Sequence, residues 1–216
     1  MLEREMEIYW LGQACFRIRG RDATVLTDPC PPSTGYKIGR VSADIVTISR
    51  NHPESSYREA MTGSPKFISG PGEYEIAGVL ITGLDTDRKD RDDGYGRNVA
   101  YVMEIDDMRV CHLGEIAQVP SGDEVEELSA VDILLVPVGG GRTLDAEKAA
   151  ELVSLLEPKL VIPMLYKTEA SRDDLQPVER FLKEMGSEAK APEQRLSITR
   201  SGLPQDTTIV LLNYRG

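Results

Sequence analysis

Short extended patterns fill the first half of the chain. Apolar positions alternate with polar ones, or run briefly together, over Glu7 to Leu11, Cys15 to Ile18 and Thr24 to Thr27, with turn residues at Gly12-Gln13 and Gly20 to Asp22 between them. That spacing predicts three consecutive antiparallel strands. A Pro- and Gly-rich loop, Cys30 to Gly35, precedes the apolar run Ala43 to Ile48. Further strands are predicted at Lys66 to Ile68, Tyr74 to Thr82, Val99 to Ile105 and Met108 to His112, each bounded by Gly, Pro or Asp turns.

From about residue 122 helix and strand patterns alternate. Gly122 to Leu128 is a short acidic helix and Val131 to Val136 a buried strand. Thr143 caps a helix that runs through Leu156, with Ala149, Leu152, Val153 and Leu156 on one face. Leu160 to Ile162 is the next strand. Ser171 with Asp174 predicts a cap for a helix from about Arg172 to Met185, stopped by Gly186, and Leu196 to Thr199 and Thr207 to Leu212 close the chain as strands. Strands, then helix–strand units, then strands again predict an α/β (α+β) fold. Its expected form is two mixed sheets face to face with helices outside, a four-layer αββα sandwich built as one domain over residues 1–216.

Composition narrows the function classes. With 36 acidic against 25 basic residues the net charge is −11, which repels a phosphate backbone, so no nucleic-acid partner is expected. No apolar stretch approaches the roughly 18 residues that span a bilayer, and Met1 to Glu7 holds no apolar signal core. A cytoplasmic protein without a membrane partner is the expectation. The odd number of cysteines, Cys15, Cys30 and Cys111, without a C-x-x-C pair, fits a reducing compartment.

One stretch stands apart, "ISRNHPESS" from Ile48 to Ser56, which follows a strand and holds one of the chain's two histidines. Taken with "YWLGQACFRI" (Tyr9 to Ile18), "LTDP" (Leu26 to Pro29), "DIVTISRNHPESS" (Asp44 to Ser56), "GPGEYEIAGVLITG" (Gly70 to Gly83), "CHLGE" (Cys111 to Glu115) and "VIPMLY" (Val161 to Tyr166), the chain resembles the metallo-β-lactamase superfamily. Within it the strings look most like the small bacterial Zn-dependent hydrolase-like branch related to ascorbate-6-phosphate lactonases.

What the resemblance implies about metal is mixed. Active members carry H-x-H-x-D-H after a strand, a middle histidine, a G-D pair and a late histidine. Such donors hold two dications about 3.5–4 Å apart that activate a bridging water. On that pattern Arg50 stands at the first histidine, His52 is kept, Glu54 replaces the aspartate and Ser55 the last histidine of the loop. The middle position falls within 85–93, which contains no histidine, Glu115 replaces the aspartate of the G-D pair, and Leu165 takes the late-histidine position. Asp28 reads either as a residue behind the ligands that orients the loop or as a strand-ending turn.

Two readings follow. In the first the metal site is degenerate, no cofactor is expected, and Arg50 forms an ion pair with Glu54 or Glu115 that takes over the metal's charge balance. The protein is then a non-catalytic or metal-independent relative that binds a small molecule or a protein. In the second, His52, Glu54 and Glu115 hold a single zinc, manganese or iron and hydrolyse a small lactone or phosphorylated molecule. The plainer alternatives are that His52 is a turn histidine before Pro53, and that Glu54 faces the dipole of a helix over 53–61. Gly139 to Gly141 reads as a flexible connection over the cleft, and self-association is an expectation from the resemblance alone.

Overall fold

A computed structural model describes residues 5–86, 97–172, 174–188 and 191–215. The first three strands, β1 (Met6–Gly12), β2 (Cys15–Arg19) and β3 (Thr24–Thr27), form the antiparallel meander that their turns predict. Next come β4 (Val41–Ser42), β5 (Ile45–Thr47), β6 (Met61–Thr62) and β7 (Lys66–Ile68). The second half holds β8 (Gly72–Ile76), β9 (Val79–Asp85), β10 (Val99–Ile105), β11 (Met108–His112), α1 (Asp123–Leu128), β12 (Ile133–Pro137), α2 (Ala146–Leu156), β13 (Leu160–Met164), α3 (Val178–Glu184), β14 (Leu196–Ile198) and β15 (Thr208–Ile209).

Two mixed sheets result. One has the order β14-β1-β2-β3-β5-β7, the other β15-β13-β12-β11-β10-β9-β8, and β4 pairs with β6 beside them. Strand periodicity decides what each sheet faces. Ile8, Phe16, Ile18, Val25 and Ile45 point into the main core shared with Tyr101, Met103, Val110 and Leu134, whereas Tyr9, Leu11, Cys15, Leu26 and Val46 point to the other side. There they are covered by Cys30 and Tyr36 from irregular segments and by Val41 of β4, and the outer layer over this sheet contains a 3-10 turn at Pro32–Thr34. The long amphipathic helix belongs to the other sheet, where Ala149, Leu152, Val153 and Leu156 are buried as their shared face predicts.

Several boundaries differ from the sequence expectations for local reasons. Tyr74 to Thr82 is a hairpin, because Ala77 and Gly78 adopt φ values of 51° and 78° and close a two-residue turn. The cap of α2 is Asp145, whose carboxylate accepts the Lys148 N–H at 3.0 Å, rather than Thr143. The helix expected from Arg172 begins only at Val178: Pro177 holds the preceding backbone extended, and the Ser171 hydroxyl is engaged in a turn with Thr168. No α-helix covers 53–61. The His52 carbonyl is taken by the Ser55 N–H at 3.0 Å and the Ser56 hydroxyl at 2.8 Å, which closes a turn, and the 3-10 turn Arg58–Ala60 follows. Glu54 therefore has no helix dipole to face.

Parallel pairing of β3 with β5, and of β11, β12 and β13 with one another, sends their C-terminal ends to one edge of the sandwich. The loops there interlock closely. A Cβ on Gly139 would lie 2.1 Å from the Leu165 carbonyl oxygen, backbone against backbone, with no flexible tip to yield. Gly139→Ala is therefore expected to lower stability by about 3 kcal/mol through overpacking, measured as a shift of the urea unfolding midpoint.

Candidate functional site

Five strand ends supply the site. Asp28 follows β3, the segment Ile48 to Ser56 follows β5, Gly114 and Glu115 follow β11, Gly139 to Thr143 follow β12, and Leu165 follows β13. The two sheets are tied together here, since the Val99 N–H donates to the Ser49 carbonyl at 2.9 Å and the Tyr101 hydroxyl to the Ile48 carbonyl at 3.0 Å. The segment after β5 is therefore held from both sides.

Arg50 is the decisive side chain. It is 1% exposed, among the largest fully buried side chains of the protein, and its Nη1 lies 3.6 Å from Glu115 Oε2. The other Glu115 oxygen accepts from the Ser55 hydroxyl at 3.3 Å. Two segments far apart in the chain thus meet in one buried polar cluster.

Glu115 is aimed by its neighbours. Gly114 has φ +60°, and a Cβ on it would fall 2.4 Å from Ser49 Cβ and 2.6 Å from Asn98 Oδ1, so only glycine fits. Asn98, fully buried, accepts the Glu115 N–H at 2.8 Å and donates to the Leu113 carbonyl at 2.9 Å and the Thr86 hydroxyl at 2.8 Å. Asn98 carries no motif; it is one amide beyond a polar stretch, and only folding shows what it holds.

His52 and Glu54 form an outer cluster with a residue the sequence reading passed over. Arg142 places Nη2 2.7 Å from Glu54 Oε2 and Nη1 3.3 Å from His52 Nε2. His52 Nδ1 accepts the Glu54 N–H at 3.2 Å. A neutral imidazole has one lone pair for such bonds, so the Glu54 amide and the Arg142 guanidinium compete for it. The available signal was the position of Arg142 directly after Gly139 to Gly141, of which Gly140 and Gly141 adopt φ values of 74° and 68°. These glycines present Arg142 at the cleft rather than merely loosening the loop.

Asp28 and His112 lie behind the cleft. One Asp28 oxygen accepts the Ser49 N–H at 2.6 Å, and the carboxyl is pushed well above its ordinary value by burial, with that amide opposing and the Glu115 charge adding. His112 links the sheets: its Nε2–H donates to the Ala14 carbonyl at 2.9 Å, leaving Nδ1 to accept from Ser49 at 3.4 Å. Burial pushes its imidazole down from 6.5 to about 4, the Ala14 bond opposing.

Glu54, Arg142 and Glu115 line a cleft of about 260 Å³, with Leu165, Asp174 and Leu175 on its other walls. Leu165 adopts φ +51° and brings only carbon atoms to the late-histidine position. The middle-histidine region, 85–93, falls mostly outside the described residues. Among the described residues no group of three His, Cys, Asp or Glu side chains is disposed to hold a metal ion. The chemistry of the donors agrees: His52 and Glu54 face the Arg142 guanidinium, and Glu115 faces that of Arg50. A guanidinium offers no lone pair and repels a dication, so this arrangement does not fit a zinc or other divalent ion.

The comparisons with known proteins place the chain. Residues 7–165 match the model of the family described as beta-lactamase superfamily domain, and the chain belongs to that superfamily. A UPF0173 protein of Pyrococcus furiosus is 29% identical over 203 residues, covering 83% of this chain and 90% of that one. A UPF0173 metal-dependent hydrolase of Thermoplasma volcanium is 27% identical and covers 76% of this chain and 85% of its own. Among solved structures, a Thermotoga maritima protein placed with the Zn-dependent hydrolases of the metallo-β-lactamase superfamily superposes with a TM-score of 0.83 at 35% identity, covering 97% of this chain and all of that one. The relatives' names point to metal-dependent hydrolysis. No helix among the described residues is long and apolar enough to cross a membrane.

Two outcomes follow from these contacts. Arg50→Met leaves Glu115 charged in a buried site and is expected to cost about 3–5 kcal/mol in urea unfolding, whereas Arg50→Met combined with Glu115→Gln should recover at least half of that loss; strictly additive losses would show the pair is not coupled. His112 binds a proton more weakly folded than unfolded, so stability is lost as pH falls from 6.5 towards about 4. That arm is worth about 3 kcal/mol, and His112→Gln should flatten it in unfolding curves measured across this window.

Proposed function

We propose that this chain is a binding protein of the metallo-β-lactamase fold, a metal-independent relative of the hydrolases, in which guanidinium–carboxylate pairs stand where the metals' charge would be. The observation that carries this reading is the buried Arg50 beside Glu115, at 3.6 Å, in the first-histidine position of the loop. Arg142 repeats the arrangement one layer out, with Glu54. Two carboxylates in a half-enclosed cleft need compensating charge, and a dication or a guanidinium can supply it. Here both guanidiniums are internal to the chain. Chemistry open to such a cleft is the binding and orientation of a small polar molecule, with Thr143 and the neighbouring glycine backbone as further polar groups.

The second reading is a metal-dependent hydrolase of a small lactone or phosphorylated molecule, working through one zinc, manganese or iron on His52, Glu54 and Glu115. The names of the relatives support it better than the first. For this reading Arg142 has to leave His52, and Arg50 has to leave Glu115.

Metal analysis separates the two. Protein purified without chelators and assayed by inductively coupled plasma mass spectrometry should carry well under one zinc, manganese or iron per chain. It should gain no thermal stability when any of these ions is added, since an ion that binds only the folded state raises the melting temperature. Stoichiometric metal, with EDTA-sensitive hydrolysis of a generic lactone or phosphodiester, would establish the hydrolase reading instead.

A further inference from the structure

We infer that the cleft takes a small zwitterion of the amino-acid class, its carboxylate on Arg142 and its ammonium on the carboxylates opposite. This deepens the metal-independent reading above and rests on it. The argument begins with charge. Glu54 is matched by Arg142 and Glu115 by Arg50, while Asp174 adds a further carboxylate at the exposed rim. A ligand with one charge that breaks the Arg142–Glu54 contact leaves the opposite partner without its counter-charge. A zwitterion replaces that single contact with two, one to each partner, and leaves the balance of the cleft unchanged.

Position and size agree with charge. Arg142 and Glu54 are both partly open to solvent, with side-chain exposures of 47% and 32%, so the pair can be reached without unfolding the cluster. Arg142 loses little by turning away from His52, since its contact there competes with the Glu54 amide for one lone pair. Arg50 is fully buried and stays with Glu115 beneath. Leu165 and Leu175 supply an apolar wall for a short side chain. The volume of about 260 Å³ lies below the roughly 300–1,000 Å³ of pockets for drug-sized ligands, which suits an occupant of amino-acid size.

Three probes of one carbon skeleton test this on metal-stripped protein by isothermal titration calorimetry: L-leucine, 4-methylpentanoate, which lacks the amine, and 3-methylbutylamine, which lacks the carboxylate. Leucine is expected to bind, and each singly charged analogue to bind roughly tenfold or more weakly, the size of one lost charge-assisted hydrogen bond. Arg142→Met should weaken leucine by a similar factor, as should Glu54→Gln, with thermal melts confirming that both variants fold. The inference is overturned if either analogue binds as tightly as leucine, if neither variant weakens leucine, or if none of the three binds with or without added zinc. Leucine binding that appears only after zinc is added overturns both the inference and the metal-independent reading, whereas absence of leucine binding together with absence of metal uptake overturns the inference alone, so the two failures are told apart.

Discussion

A charged guanidinium sealed inside a protein is tolerable only where an opposite charge meets it, and the edge of this sandwich is arranged around that requirement. Arg50 is almost wholly removed from solvent. Taking such a group out of water costs several kcal/mol even after the surroundings relax, so the counter-charge has to be close and well held. Glu115 provides it, and the glycine before it, the Asn98 amide and the Ser55 hydroxyl all serve to keep Glu115 in place. The strain of a positive-φ backbone at Gly114 is avoided by having no side chain there.

The same pairing explains how a fold associated with metal-dependent hydrolysis accommodates this set of residues. The cleft of this chain brings Glu54 and Glu115 together from separate strand ends, and their mutual repulsion is relieved by cations beside them. Two guanidiniums lie beside these carboxylates, in two layers. The inner layer, Arg50 with Glu115, is buried and belongs to the fold; the outer layer, Arg142 with Glu54, is reached by solvent and belongs to the cleft. Asp28 is held behind them, its carboxyl pushed above its ordinary value by burial.

Much of the architecture was legible in the sequence because strand alternation and helix periodicity are local signals. The meander of β1 to β3 and the buried face of α2 were readable in that way. Boundaries set by competing local bonds were not. The Ala77-Gly78 turn splits one apparent strand into two, Asp145 outcompetes Thr143 as a cap, and the His52 carbonyl closes a turn where Pro53 suggested a helix. The superfamily was readable through a resemblance that spans the chain, since it compares residue types in their order along the sequence.

By itself, then, the sequence determined the residue types that the resemblance sets against the usual ligands: Arg50, Glu54, Ser55, Glu115 and Leu165. Which carboxylate Arg50 meets was decided by tertiary structure, because Glu54 and Glu115 are both within plausible reach of a long side chain and only the packing of two sheets selects Glu115. Arg142 and Asn98 likewise acquire their roles only when loops after β12 and before β10 are brought to the same edge. Charge balance in a cleft is a property of distances between segments remote in the chain, and no local pattern encodes those distances.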